Sequence, residues 1–231
     1  MKIAILTPTR ERAKRRKIFH NSVISLASSS VNCYYYIDNN DPELEEYKTQ
    51  TMLPGAYNII GEPISVSKSW NILASKAIQD GADVLIMGND DIIYETKDWD
   101  LFLKKEILNF PDNIYCMWFE DKINGDKHCA FPIVSKEWVE CLGYFTPGIF
   151  NFGYNDTWIF DIAKKVGRYK YLPNIIAEHK HWSTNTDLVD NTYIRNRWGD
   201  RGNLYTLDAK IWEEQEDKRV EEANKLRKLI T

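Results

Sequence analysis

The chain opens on an unbroken apolar run, KIAIL (Lys2 to Leu6), closed by Thr7-Pro8. A short apolar run stopped by proline predicts a buried strand. A helical pattern follows to about Ala27, and CYYYI (Cys33 to Ile37) predicts a second strand that Asp38-Asn39-Asn40-Asp41-Pro42 ends. Tyr57 to Ile60 is a shorter candidate for a third. From Ser67 the period changes: Trp70, Leu73, Ala74, Ala77 and Ile78 fall at i, i+3, i+4, i+7 and i+8, one face of a helix that Asp80-Gly81 closes. DVLIM (Asp83 to Met87) is the continuous apolar run of a strand covered on both faces.

The second half is more mixed. Ile114 to Phe119 and Cys129 to Val134 predict strands. Trp158, Ile159, Ile162, Ala163 and Val166 mark a helix begun by Asn155-Asp156 and stopped at Gly167. Tyr169 to Leu172 and Ile175 to Ala177 are extended pieces around Pro173, and from about Thr206 a charged helix carries apolar marks at Leu207, Ile211, Val220, Leu226 and Ile230. Strands alternating with helices predict an α/β fold, a Rossmann-like, mostly parallel sheet flanked by helices. No linker interrupts the chain, so the expectation is one domain over 1–182, with a C-terminal helical extension, 183–231, packed on it.

Composition narrows the class. The 231 residues are 43% hydrophobic and 28% charged, which excludes a disordered or collagen-like chain. No run approaches the ~18 apolar residues of a spanning helix. The N-terminus does not read as a signal peptide, because its charges follow the apolar run. Cys33, Cys116, Cys129 and Cys141 lack CxxC spacing and suit reduced thiols in a cytoplasmic protein. The net charge of −4 excludes a strongly basic nucleic-acid binder, although RERAKRRK (Arg10 to Lys17) and Arg195, Arg197 and Arg201 form local basic clusters that can attract phosphates.

Ligands of open α/β sheets bind outside the carboxyl ends of the strands. Here those ends carry Thr7-Pro8-Thr9-Arg10, Asp38-Asn39-Asn40-Asp41 and Gly88-Asn89-Asp90-Asp91. Neither GxGxxG nor GxxxxGK[ST] is present, which counts against dinucleotide and P-loop chemistry. Adjacent carboxylates at a buried strand end repel unless a cation or donors compensate, and hard divalent ions take such oxygens together with substrate phosphates; turn formation alone also explains Asn and Asp there. Asp156, opening a helix, suits a helix cap or a general base. His179 and His181, at i and i+2 after an extended run, can both face a metal.

In order and spacing these residues resemble a glycosyltransferase of the GT-A nucleotide-sugar fold, similar to family two. The likeness runs from Met1 to Trp182 through Pro8-Thr9-Arg10-Glu11-Arg12, Asp38, Ser67-Lys68-Ser69-Trp70-Asn71, Asn89-Asp90-Asp91, Asn155-Asp156, and Gly167, Pro173 and His179. Two positions depart from the pattern: Asn89 replaces the first Asp of Asp-x-Asp, and Asn155 replaces the Glu of Glu-Asp. The resemblance implies a nucleotide-sugar donor, with UDP favoured, bound by Thr7, Pro8, Thr9, Arg10, Asp38, Asn71, Asn89 and Asp90. It implies Mn2+ or Mg2+ on Asp91, His179 and His181, Asp156 as catalytic base, and inversion. The expected acceptor is a hydroxymethylated base in DNA, in a phage-encoded enzyme of the host cytoplasm, or otherwise a glycan or lipid. A nucleotidyltransferase and a non-catalytic nucleotide-sugar or polyanion binder are the competing readings.

Overall fold

In the computed structural model, residues 1–50, 53–184, 186, 189–198 and 202–230 are described. In chain order the elements are β1 (Ile3–Thr9), α1 (Ala13–Leu26), β2 (Val31–Asp38), α2 (Leu44–Thr49), β3 (Ala56–Gly61), α3 (Val66–Gln79), β4 (Val84–Met87), β5 (Ile92–Tyr94) and α4 (Trp99–Ile107). They continue with β6 (Cys116–Glu120), β7 (Ile133–Ser135), α5 (Lys136–Leu142), α6 (Asn155–Val166), β8 (Tyr169–His179), α7 (Asn191–Trp198), α8 (Leu204–Glu214) and α9 (Glu216–Arg227). None of the helices is long and apolar enough to cross a membrane among the described residues.

The strands form one 8-stranded mixed sheet in the order β3-β2-β1-β4-β7-β6-β8-β5. The apolar runs pair in parallel, β1 with β2 and β4, β2 with β3, and β6 with β8, while β7 and β5 pair antiparallel. Burial on both faces explains the unbroken hydrophobicity of β1 and β4. One face packs Trp70 and Leu73 of α3, Trp138 of α5, Trp158 and Ile162 of α6 and Leu226 of α9. The other packs Phe19 and Val23 of α1 with Trp99 and Leu103 of α4. Successive strands add outward from β1 to β3, and β4 then returns to the other side of β1. That reversal is the switch point where open α/β sheets leave a crevice.

Several expectations change in detail. Only Ile133 and Val134 of the predicted Cys129–Val134 strand join the sheet, with Ser135 after them; Pro132 has no N–H to pair, and Ala130 and Phe131 before it line a cavity. The two pieces around Pro173 are one strand, β8. The tail is not one helix, because Gln215 separates α8 from α9. The tail joins the body through Trp158 Nε1, which donates to Glu222 Oε2 at 2.9 Å, and Arg219 Nε, which donates to Asp161 Oδ2 at 3.0 Å.

The run Arg10 to Lys17 is not an exposed basic stripe. Only Lys14 and Lys17 are exposed, while Arg16 is fully buried. Arg16 donates to Gln50 Oε1 at 2.9 and 3.1 Å and to Asn58 Oδ1 at 2.7 Å, over the rings of Tyr35 and Tyr47. It is a tie between α1, α2 and β3. Arg201, third of the C-terminal arginines, lies outside the described residues.

Candidate functional site

A cavity of about 670 Å³ opens outside the carboxyl ends of β1, β2 and β4, within the ~300–1,000 Å³ of ligand pockets. Gly88, where the chain leaves β4, is pressed against β1. A Cβ there would come within 2.4 Å of Thr7 Oγ1 and 2.6 Å of Ile5 Cγ2, so only glycine permits this approach. Asn89, Asp90 and Asp91 then enter the wall.

Asp90 is enclosed by donors. Thr9 Oγ1 donates to Asp90 Oδ2 at 2.6 Å, and Arg12 Nη1 donates to Oδ1 at 2.8 Å. Burial raises its pKa, with Asp91 adding to the rise against the opposing pull of Arg12. Arg12 also donates from Nε to Asp190 Oδ2 at 2.7 Å. Burial disfavours its charge, but Asp90, Asp91 and Asp190 outweigh burial and raise its pKa.

Asp91 differs from Asp90. Its Oδ1 is buried with no hydrogen-bond partner and lies 3.6 Å from His179 Nε2. The two residues meet because β5 pairs antiparallel with the end of β8, Ile92 opposite His179, and Lys180 N donates to Asp91 O at 2.8 Å. Burial works against the Asp91 carboxylate, but His179 and then Arg12 prevail and lower its pKa. Burial likewise opposes the His179 cation, and Asp91 with Asp121 outweighs it, raising the pKa. His181 lies beyond the end of β8, its ring 5.1 Å from that of His179.

An orphaned carboxylate oxygen beside an imidazole is a donor set a divalent cation fits. Among the described residues no group of three or more His, Cys, Asp or Glu is placed to hold a metal ion. With Asp90 engaged by Thr9 and Arg12, an ion here would need further oxygens from its ligand.

Asp156 stands on the same cavity wall. Tyr154, in the left-handed region at φ 63°, turns the chain into α6 and leaves Asp156 in its first turn, with no side-chain cap bond. Asp156 Oδ2 lies 2.8 Å from His128 Nε2. The sequence reading missed His128, which carries no periodicity or spacing signal. Its one trace is arithmetic: of four histidines, three, His128, His179 and His181, line the cavity.

The Asp156 hydrogen bond raises the His128 pKa above its ordinary value in spite of burial. A group with a raised folded pKa stabilises fully below its unfolded value and loses that contribution as pH climbs through the folded one. The pair should therefore make wild type more stable than His128→Gln at about pH 5.5, below the unfolded value near 6.5, and the margin should close by about pH 9. Thermal melts of both proteins across that range check this; a pH-independent margin would remove the charge from the pair.

The remaining expected residues divide. Pro8, Thr9, Arg10 and Asp38 line the cavity, where Arg10 Nη1 donates to Asp38 Oδ2 at 2.7 Å. Thr7 is fully buried beneath it and does not face it. Asn71 does not line it either. Its Oδ1 accepts from Phe145 N and Thr146 N, both at 2.9 Å, and its Nδ2 donates to Thr146 O at 2.8 Å. It clamps the segment leading towards α6. Asn155 is buried, donating to Phe152 O at 3.3 Å and Gly153 O at 3.2 Å.

The C-terminal region completes the wall with Tyr193, Arg195, Arg197 and Tyr205. Asp208 of α8, fully buried, accepts from Asn151 N at 2.9 Å, Phe152 N at 2.7 Å and Gly153 N at 2.9 Å. The tail thus holds the loop that delivers Asp156.

No family model and no curated protein matches the sequence. Solved structures do match its fold. TarS of S. aureus superposes with a TM-score of 0.60 at 12% identity, over 78% of this chain and 37% of that one. A shorter TarS, residues 1-349, solved with UDP-GlcNAc, gives 0.58 at 10% identity, over 78% and 59%. The mannosyltransferase PcManGT from Pyrobaculum calidifontis, solved with GDP-Man and Mn2+, gives 0.60 at 10% identity, over 96% and 72%. This chain thus spans little more than a third of the length of the longer TarS. None of these likenesses supports a phage origin or a DNA acceptor. The fold of this chain is similar to that of the GT-A glycosyltransferases, TarS and PcManGT among them.

Proposed function

We propose that this chain is a nucleotide-sugar glycosyltransferase that moves a sugar from a nucleoside diphosphate to an acceptor hydroxyl, with Asp156 as general base. One observation carries the reading. A single cavity at the sheet's switch point has on its wall both the orphaned Asp91 oxygen beside His179 and the Asp156 carboxylate. The similarity of fold to glycosyltransferases, one solved with GDP-Man and Mn2+, supports it.

Asp38, Pro8 and Thr9 form the nucleoside end. Arg10 holds one Asp38 oxygen and leaves the other to accept from a base N–H. Asp91 and His179, together with diphosphate oxygens of the donor, would hold Mn2+ or Mg2+, and the nitrogen ligand favours manganese. Such an ion neutralises charge on the leaving diphosphate. Asp156 takes the proton of the acceptor hydroxyl as its oxygen attacks the anomeric carbon. The bond from that carbon to the diphosphate breaks, and the nucleoside diphosphate departs with the electron pair. Attack opposite the leaving group inverts the centre. His128, donating to Asp156 Oδ2, keeps the carboxylate aimed into the cavity.

A screen of UDP-, GDP- and TDP-sugars with Mn2+, read by released nucleotide, tests the activity. Slow hydrolysis of one donor class, with water as acceptor, is expected. Intact donors in every arm would overturn the reading.

A further inference from the structure

Four arginines line the cavity, and three of them are neutralised. Arg10 pairs with Asp38 at 2.7 Å, Arg12 with Asp90 at 2.8 Å and Asp190 at 2.7 Å, and Arg195 with Glu11 at 2.7 Å. Arg197 has no carboxylate at ion-pair distance among the described residues, and its Nε is buried without a hydrogen-bond partner. Its guanidinium lies 4.8 Å from the ring centroid of Tyr193, 5.0 Å from Tyr205 and 6.0 Å from Phe152.

Aromatic faces attract a cation, but they cannot accept the in-plane N–H bonds of the guanidinium. A buried N–H left unpaired has lost its water without gaining a partner, which is unfavourable. The aromatic box is built rather than incidental. Asp208 pins the Asn151–Gly153 backbone, and a Cβ on Gly153 would come within 2.6 Å of Tyr205 Cδ2, so loop and ring are in close contact. A guanidinium on a cavity wall with an unpaired N–H matches the two oxygens of a carboxylate or phosphate.

The neighbours of Arg197 say which substrate brings that oxyanion. Phe152 stands four residues before Asp156 on the same cavity-lining segment, through Gly153, Tyr154 and Asn155. Contact with the Asp91–His179 end is indirect, through Tyr193, whose ring is 6.0 Å from His181. We infer that Arg197 receives a phosphate or carboxylate carried by the acceptor, close to the hydroxyl that Asp156 deprotonates. The inference builds on the glycosyltransferase reading and narrows the acceptor from any alcohol to an anionic one.

Three probes share a hydroxyl frame: sn-glycerol 3-phosphate, D-glycerate and uncharged glycerol. Calorimetry titrates each into wild type, Arg197→Gln and Arg197→Lys, saturated with Mn2+ and the nucleoside diphosphate the protein binds. One or both anions should bind while glycerol does not, and the two anion arms separate phosphate from carboxylate. Arg197→Gln should weaken anion binding about tenfold or more, and Arg197→Lys should restore it only in part, with nucleoside diphosphate affinity unchanged in both. Anions that bind no better than glycerol, or equally well to Arg197→Gln, would overturn the inference. So would a variant that loses the nucleoside diphosphate, which would assign Arg197 to the donor. Should wild type bind no nucleoside diphosphate, the glycosyltransferase reading fails instead, and the same anion titrations on the nucleotide-free protein decide the Arg197 site.

Discussion

Asp156→Asn should lower kcat by ~10²- to 10⁴-fold, the usual worth of a general base, and leave donor affinity unchanged. The substitution is isosteric, and its amide oxygen can still accept from His128. A capping role predicts something else, because Asn caps as well as Asp, and no side-chain cap bond exists at the start of α6 to be lost. The negative charge near the helix N-terminus contributes only ~0.3–1 kcal/mol, so the melting temperature should move little at about pH 9, where the His128 pair no longer adds to stability. Steady-state kinetics beside thermal melts measure both quantities. Near-normal turnover would remove Asp156 from the proton transfer.

Asp91→Asn should have a comparable effect by another route. The cation that Asp91 would help to hold is worth several kcal/mol of charge stabilisation on the leaving group, so turnover should fall by about a thousandfold at ~1.4 kcal/mol per tenfold. Unlike the Asp156 change, this one should also weaken Mn2+-dependent binding of the nucleoside diphosphate. Asp90→Asn should leave that binding nearer to wild type, because Asp90 is already engaged by Thr9 and Arg12. The cost of the Asp90 change should appear in stability, as Arg12 loses a buried partner. Calorimetry of the three proteins with and without Mn2+ separates the roles; equal losses from both variants would return the acidic pair to a structural function.

The sheet was legible where one strand or helix carries its own signal. The unbroken runs of β1, β2 and β4 and the one-faced pattern of α3 and α6 predict those elements closely. β5 is only Ile92–Tyr94, flanked by charge, and takes its strand form from pairing with β8. No local pattern announces such a strand. The same pairing brings Asp91 to His179, so the sequence can nominate both residues without showing that they meet. The Arg10 to Lys17 run misled for a related reason. Charge in sequence does not report direction, and Arg12 and Arg16 turn inward to partners on distant elements. His128 was hidden too, facing Asp156 across a loop; Arg197 was legible as one of a basic cluster, but the rings from three separate segments that surround it were not.

Titration of UDP and of GDP into the protein, with and without Mn2+, tests the central claim most directly. With Asp91 and His179 as its protein donors and the diphosphate supplying the rest, Mn2+ should bind weakly alone and firmly with nucleotide. The account predicts one-to-one binding of at least one of these nucleoside diphosphates, strengthened by Mn2+ and returned to the metal-free value by EDTA. Absence of binding by either nucleotide in the presence of Mn2+ would contradict it.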